Sequence, residues 1–164
     1  MLLRTELVDH LSSLSAPQRE SLLSYVLDVF QGPNESLSRV ASSILSEIMT
    51  LESLCLWPQL ACFLREGLEN CCPSPLLLHC VSSALESPSS HLLDSQPQTL
   101  WLTTCLLHSI SSQNASAPPL VLLSLRHILQ TQNVFPVSLL PELIQVSIQC
   151  PYHPLDSSLS ASVL

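Results

Sequence analysis

Prolines divide this chain into short segments, and within each segment leucine and other apolar residues recur every three or four positions. That spacing places apolar side chains on one face of an α-helix. Proline is tolerated in the first turn of a helix, where its missing N–H would be unsatisfied anyway. The pattern therefore predicts an all-α protein of short helices. A first helix is expected over residues 2–14, and the others are expected to open near residues 17, 35, 58, 75, 97, 118 and 136.

The helix openings are evenly spaced, because every second one is separated by about 40 residues, close to the length of one HEAT or armadillo unit. Residues 1–150 therefore resemble the armadillo/HEAT-like α-solenoids in period and pattern. The resemblance implies short antiparallel helix pairs that bury their apolar faces against one another. An irregular helical bundle would carry the same apolar stripes and remains the alternative. Residues 151–164 are rich in serine and proline and predict a flexible tail.

Two stretches of the chain carry a more particular resemblance. Residues 39–48 (RVASSILSEI) and residues 120–129 (LVLLSLRHIL) resemble helical segments of the meiosis inhibitor protein 1 family of animals. This resemblance implies a piece of a nuclear scaffold that supports meiotic double-strand break formation and chromosome synapsis. It implies no catalytic residues, because that family is not known by an active-site motif.

The composition argues against several functional classes. The chain has only two glycines, Gly32 and Gly67, so the glycine-rich turns that bind dinucleotides or nucleoside triphosphates are missing. It contains no lysine, which excludes the P-loop lysine and the Schiff-base lysine of pyridoxal phosphate enzymes. Five arginines without a basic cluster, together with a formal net charge of -8, disfavour direct binding to nucleic acid or to an anionic membrane surface.

No part of the sequence predicts export or membrane insertion. Acidic residues interrupt the apolar positions near the N-terminus, where a secretory signal would be continuously apolar. No apolar stretch approaches the roughly 20 residues that a membrane-spanning helix needs. Seven cysteines are an odd number, which favours reduced thiols over a disulfide framework. We therefore expect an intracellular protein, nuclear or cytoplasmic, that is not secreted and does not bind membranes.

Cysteine and histidine residues make the nearest approach to a reactive site. Cys105 and His108 would share a helix face, but a nucleophilic dyad also needs an oxyanion donor and a cleft, so a core thiol is expected. A second cluster contains residue types that can bind a metal ion, but it has no C-x-x-C pair, and no metal site is expected from it. The members of that cluster are Cys55, Cys62, Cys71, Cys72, His79 and Cys80.

The polar surface is expected to consist largely of hydroxyls, because serine occurs 29 times and charged residues make up only 11% of the chain. Glu66 and Glu69 lie at helical spacing near Arg65, which indicates a solvated helix face rather than an acid–base pair. Trp57 and Trp101 stand at or near helix starts, and core packing is expected for both.

We therefore expect a non-catalytic protein–protein interaction scaffold without a cofactor or a small-molecule substrate. The alternative is a small cysteine- or metal-dependent enzyme on a helical bundle. Thiol alkylation would separate the two, because an enzyme nucleophile would be one hyper-reactive cysteine.

The last predicted helix gives the candidate binding surface. Its only charged residue is Glu142, and a helix that is apolar around most of its circumference is normally buried on all sides. Because a solenoid needs a polar cap at its end, residues 1–164 are expected to be a fragment or short isoform of a larger α-solenoid that self-associates or binds a partner. The candidate partner-binding residues are Leu139, Leu140, Leu143, Ile144, Val146 and Ile148.

Overall fold

The computed structural model of the protein describes Leu11 and residues 13–70, 73–87, 90–111, 118–131 and 137–149. These residues form helices and contain no strand, so the predicted all-α class is confirmed. The α-helices are α1 (Ala16–Gln31), α2 (Glu35–Leu51), α3 (Pro58–Glu69), α4 (Pro75–Leu85), α5 (Gln96–Ser111), α6 (Pro118–Thr131) and α7 (Leu140–Gln149). The same residues include the 3-10 helices η1 (Leu54–Leu56), η2 (His91–Leu93) and η3 (Val137–Leu139).

Proline and polar capping residues define where the helices begin. Proline lies in the first turn of α1, α3 and α4. At the start of α2 the Asn34 side-chain oxygen accepts a hydrogen bond from the Leu37 N–H at 3.2 Å, and at the start of α4 the Ser74 hydroxyl oxygen accepts one from the Leu77 N–H at 3.2 Å. Each cap satisfies a backbone N–H that the helix itself leaves unpaired. The predicted openings from residue 17 to residue 118 lie within one residue of the observed starts.

The start of the last helix differs from its prediction. The sequence predicts an opening near residue 136 and allows a kink at Pro141, whereas the structure has η3 first and begins α7 at Leu140. Pro141 therefore lies in the first turn of α7, where its missing N–H breaks no intrahelical hydrogen bond. It is a helix-start proline like those that precede it.

The helices contact one another in a regular order. Consecutive helices pair as α1 with α2, α3 with α4, and α5 with α6. The odd-numbered helices also contact each other in order, from α1 through α3 and α5 to α7, and the even-numbered helices do the same from α2 through α4 to α6. We call these two sets the odd row and the even row.

Leucine supplies most of the hydrophobic core that the helices enclose. Leu45 and Met49 of α2 and Leu60 of α3 have no exposed surface, and burying a side chain of this size contributes about 1.5–3 kcal/mol. Phe30 and Phe63 meet edge to face with ring centroids 5.4 Å apart, which joins α1 to α3. Most apolar side chains of the predicted amphipathic faces therefore pack inward, but Leu37, Val40 and Ile44 of α2, which belong to its predicted apolar face, are exposed.

Many hydroxyl side chains lie inside the protein rather than on its surface. The Thr50 hydroxyl donates to the Ser46 carbonyl oxygen at 2.9 Å, and the Thr103 hydroxyl donates to the Thr99 carbonyl oxygen at 2.7 Å. Such bonds satisfy a buried hydroxyl within its own helix. Hydroxyls therefore belong to the interior as well as to the polar surface predicted from them, and nine of the residues that carry them are buried. They are Ser38, Ser42, Ser46, Thr50, Ser82, Thr99, Thr103, Ser109 and Ser124.

Predictions for the two ends of the chain lie outside the described residues. The helix expected over residues 2–14 falls mostly there, as do the domain boundary near residue 150 and the tail over residues 151–164. None of the helices in the described ranges combines the length and the hydrophobicity needed to cross a membrane.

Candidate functional site

The structure describes four of the six side chains in the predicted partner-binding surface on the last helix. Leu139 and Leu143 are 9% and 2% exposed and belong to the hydrophobic core. Leu140 is half-buried, and Ile144 is 46% exposed. This surface therefore presents Ile144 to solvent, and its role in binding stays a prediction. Two members have side chains outside the described set: Val146 and Ile148.

Two cysteines are buried in an environment that keeps their thiols protonated. The Cys80 S–H donates to the Ser42 carbonyl oxygen at 3.3 Å, and burial raises the pKa of this thiol from 9.0 to about 12. Burial, reinforced by the charge of Glu69, also raises the pKa of Cys105. A cysteine nucleophile reacts as the thiolate, so both residues behave as core thiols. His108, which was expected to share a helix face with Cys105, is exposed.

The described cysteine and histidine side chains of the second cluster do not come together in the structure. Cys55 and Cys62 are exposed, and the Cys55 sulfur lies 2.8 Å from the Ser53 hydroxyl oxygen. Within the described ranges, no three His, Cys, Asp or Glu side chains come together as metal ligands would. Cys71 and Cys72 lie outside those ranges.

An open cleft of about 610 Å3 lies where α1 and α3 end and α2 and α4 begin. Phe30, Phe63 and Leu77 provide apolar lining, and polar side chains such as Asn70 stand beside them. Gly67 also lines this cleft, and a Cβ atom there would overlap the Leu77 side chain. A side chain at Gly67 would therefore require the Leu77 side chain to move.

A second cleft of about 580 Å3 continues along the even row from α2 past α4 to Leu120 of α6. Three residues line both clefts, namely Glu35, Ser74 and Leu76. The two clefts are therefore adjacent, and together we call them the even-row groove. His79 of α4 stands exposed at its second cleft.

The polar groups of the even-row groove suit binding better than catalysis. Glu35 and Arg39 are both well exposed, and an Arg39 guanidinium nitrogen lies 2.6 Å from a Glu35 carboxylate oxygen. An exposed pair of this kind stabilises the fold by less than about 1 kcal/mol and is readily exchanged for contacts with a ligand. The other polar lining groups are hydroxyls, amides and the His79 imidazole, and the hydroxyls and amides donate and accept hydrogen bonds without activating a substrate.

The odd row carries a smaller cleft of about 350 Å3 between α3 and α5. The Trp101 indole N–H donates to a Glu69 carboxylate oxygen at 3.1 Å at this cleft, and Arg65 lies 3.9 Å from the same carboxylate oxygen. Arg65, Glu66 and Glu69 are exposed, so the solvated helix face predicted for them is confirmed. Trp101 is only half-buried, unlike the core position expected for it.

A buried polar cluster joins the start of α1 to the connection between α2 and α3. Trp57 is 1% exposed, as predicted for a core residue, and its indole N–H donates to a Glu52 carboxylate oxygen at 2.6 Å. Arg19 lies 3.6 Å from the other Glu52 oxygen, stacks over the Trp57 ring at 5.7 Å and donates to the Leu11 carbonyl oxygen at 3.3 Å. The Arg19 and Glu52 side chains are only 15% and 9% exposed, so the cluster is structural.

The sequence candidates thus lie in different places, with the core thiols inside, two cysteines exposed and the last helix at one end of the odd row. The even-row groove was not predicted, because its lining comes from several helix ends and no motif marks it. Comparison of the chain with protein-family models, with curated proteins and with solved structures finds no match.

Proposed function

We propose that the protein is a non-catalytic scaffold whose helices stack as an armadillo/HEAT-like α-solenoid and whose even-row groove binds a segment of another protein. The observation that carries the proposal is the contact order of the helices, in which consecutive helices pair and the members of each row contact one another in sequence. In stacked repeats each unit contacts its neighbours, and each row presents one extended surface. An irregular bundle has no reason to keep that order.

The even-row groove has the size and lining that an extended peptide needs. It runs from Phe63 of α3 to Leu120 of α6, so a bound segment would touch several helices at once. Leu76 and Leu77 supply apolar contact, while Ser74 supplies a hydroxyl at the helix start. Protein interfaces combine apolar contact with a few hydrogen bonds in this way.

A cysteine-dependent enzyme, the alternative, finds less support. Such an enzyme needs a thiol whose pKa is lowered and a base beside it. Burial raises the pKa of Cys80 and of Cys105 instead. The exposed Cys55 and Cys62 lie outside the even-row groove.

A narrower prediction rests on the resemblance of two stretches to the meiosis inhibitor protein 1 family. Residues 39–48 lie on α2 and residues 120–129 lie on α6, so both belong to the even row. The prediction is a nuclear scaffold that supports meiotic double-strand break formation and chromosome synapsis. Immunolocalisation in meiotic cells tests it, and a protein confined to the cytoplasm of those cells would contradict it.

Selection of a displayed library of random peptides against the full chain tests the binding function. We expect selected peptides to bind in the even-row groove, because it offers the extended mixed surface that they need. His79→Glu should weaken their binding at least tenfold, about 1.4 kcal/mol, since it adds a charge at the groove. Fluorescence anisotropy with labelled peptides measures the effect.

His108→Glu is the matched control, because His108 is equally exposed but lies on α5 outside the groove. The affinity of this variant for the selected peptides should stay within about twofold of that of the unmodified protein. Leu76→Glu is a second groove variant, since Leu76 lines both clefts. Selected peptides that bind both groove variants as tightly as the control would refute binding at this groove.

A further inference from the structure

The even-row groove lies at the edge of the molecule where odd-numbered helices end and even-numbered helices begin. Gln31 and Asn70 line its first cleft at the ends of α1 and α3, and Glu35 and Ser74 line the same cleft at the starts of α2 and α4. The second cleft reaches Leu120, which lies in the first turn of α6. Each even-numbered helix of the described ranges therefore begins beside this groove.

The last helix ends at the same edge. α7 contacts α5, and residues 132–139, which include η3, join it to the end of α6. A short connection between packed helices reverses the direction of the chain. Because α6 begins beside the groove, α7 runs back toward the groove and ends at Gln149. Neighbouring helices pack about 10 Å apart, so the end of α7 lies within roughly 20 Å of the start of α6.

Residues 150–164 follow α7 and lie outside the described ranges. A segment of this length spans up to about 50 Å when it is extended. The starts of α2, α4 and α6 are spread over roughly 20 Å, because neighbouring helices stand about 10 Å apart. The segment is therefore long enough to reach from the end of α7 past the start of α6 to the far end of the groove.

The residues of this segment suit extended binding against an apolar lining. Pro151 and Pro154 restrict the backbone, which reduces the entropy that a segment loses when it binds in an extended conformation. Leu155 and Leu159 supply apolar side chains, and Leu76 presents an apolar side chain to both clefts of the groove. Removing such side chains from water favours the contact.

Charge complementarity also favours this segment. Residues 150–164 contain one acidic residue, Asp156, and neither arginine nor lysine. Arg39 and His79 line the second cleft, and both can donate hydrogen bonds to a carboxylate. Arg39 is paired with Glu35, but both side chains are exposed and such a pair is weak. Arg39 can therefore bind a carboxylate of the segment while Glu35 stays hydrated.

We propose that residues 150–164 dock in the even-row groove of their own chain and that a partner segment has to displace them. Leu155 and Leu159 cover the apolar lining, and Asp156 meets Arg39. The regulatory role rests on the proposed function, because an internal segment can compete only where another segment binds. Docking itself needs no partner and is measured separately.

The docked segment should lower the affinity of the groove for partner segments. Because residues 150–164 are tethered to the domain, their effective concentration at the groove is on the order of 1 mM. A segment with a dissociation constant on the order of 0.1 mM then fills the groove in about ten of every eleven copies. The affinity for a competing segment falls by about tenfold, since only the open copies can bind it.

Photocrosslinking of the full chain tests the docking. A photoreactive phenylalanine analogue replaces Leu155, and mass spectrometry maps the residues that it labels. We expect labels in the even-row groove, around Leu76 and His79, in a yield that does not depend on protein concentration. The same analogue at Leu100 is the control, because Leu100 is 41% exposed on α5 outside the groove. Labels outside the groove, or labels found only between two copies of the chain, would refute the proposal.

Peptide affinity tests the competition. Leu155→Ser combined with Leu159→Ser removes the apolar contacts of the segment, so peptides selected from a random library should bind this double variant about tenfold more tightly than the unmodified chain. Ser157→Ala combined with Ser160→Ala is the matched control, since it changes the same segment and leaves both leucines in place. It should bind the peptides within about twofold of the unmodified chain.

The two measurements separate the failure of this inference from the failure of the proposed function. Peptides that bind the unmodified chain and the leucine double variant equally well would refute the competing segment and leave the binding function intact. If neither protein yields a binding peptide, the proposed function fails, and the labels from position 155 still decide whether the segment docks.

Discussion

The junction of α1, α2 and α3 and the interior of α5 both bury polar side chains, but they satisfy them in opposite ways. At the junction, Glu52 binds Trp57, five residues later in the chain, and Arg19 of α1. On α5, the buried hydroxyls of Thr103 and Ser109 donate to carbonyl oxygens four residues earlier in the same helix. The first arrangement depends on tertiary structure, whereas the second forms with the helix itself.

The difference indicates which buried polar residues contribute most to the stability of the fold. Removing one member of a buried network leaves the others desolvated and unpaired, which costs more than the interaction was worth. A hydroxyl bonded to its own helix leaves nothing unpaired when it is removed, because the carbonyl keeps its helical N–H partner. Substituting a buried serine or threonine of such a helix should therefore cost little stability. Substituting one of the few polar residues at the junction should cost much more.

Glu52→Ala should have the largest effect on stability. It leaves the buried Trp57 indole N–H without its acceptor and Arg19 without its carboxylate. Breaking a buried pair in this way costs about 3 kcal/mol of unfolding free energy. Urea denaturation followed by tryptophan fluorescence measures the loss.

Glu69→Ala is the control for that experiment. Glu69 also binds a tryptophan indole and an arginine, but it is exposed. Its removal should cost less than about 1 kcal/mol. Equal losses in the two variants would show that burial does not distinguish the two clusters, and the comparison between junction and surface would fail.

The same contrast explains how much of the structure could be predicted from the sequence. The helix starts depend on local signals, such as Pro58, Asn34 and Ser74, and these were predicted closely. The burial of Trp57 was also predicted, because a large apolar side chain beside a helix start packs inward. Its contacts with Glu52 and Arg19 were not, since nothing in the sequence shows that the start of α1 meets the connection between α2 and α3.

The candidate site follows the same division. That the last helix is apolar was visible in the sequence, but whether Leu143 or Ile144 faces solvent depends on how α7 packs against α5. The even-row groove depends on the mutual position of helix ends, and no sequence pattern marks lining residues such as Gly67.

Cys80 is an intermediate case, because its S–H is satisfied across two helices by a single weak bond to Ser42. Burial raises the pKa of its thiol to about 12 in the folded state, from an ordinary value of 9.0. Between these values the unfolded chain ionises and the folded chain does not, so this contribution to stability is complete below pH 9.0 and is lost as pH rises toward 12. At pH 10 the loss should be about 1.4 kcal/mol.

Urea denaturation at pH 7 and pH 10 measures this loss, and Cys80→Ala provides the reference. The variant lacks the titrating thiol but retains every other group that ionises at alkaline pH. Its stability should therefore fall by about 1.4 kcal/mol less between the two pH values than that of the unmodified chain. An identical fall in both proteins would show that the Cys80 thiol is not desolvated in the folded state.

Thr103→Val should have the smallest effect, although Thr103 has no exposed surface at all. The substitution keeps the shape of the side chain and removes a hydroxyl whose only described bond is to the Thr99 carbonyl oxygen. That carbonyl is a helical acceptor and is not left unpaired, and valine and threonine have similar helix propensities. The unfolding free energy should therefore change by less than about 1 kcal/mol. A loss as large as that of Glu52→Ala would mean that the Thr103 hydroxyl is held by contacts beyond its own helix, and the division between local and tertiary satisfaction would not hold for α5.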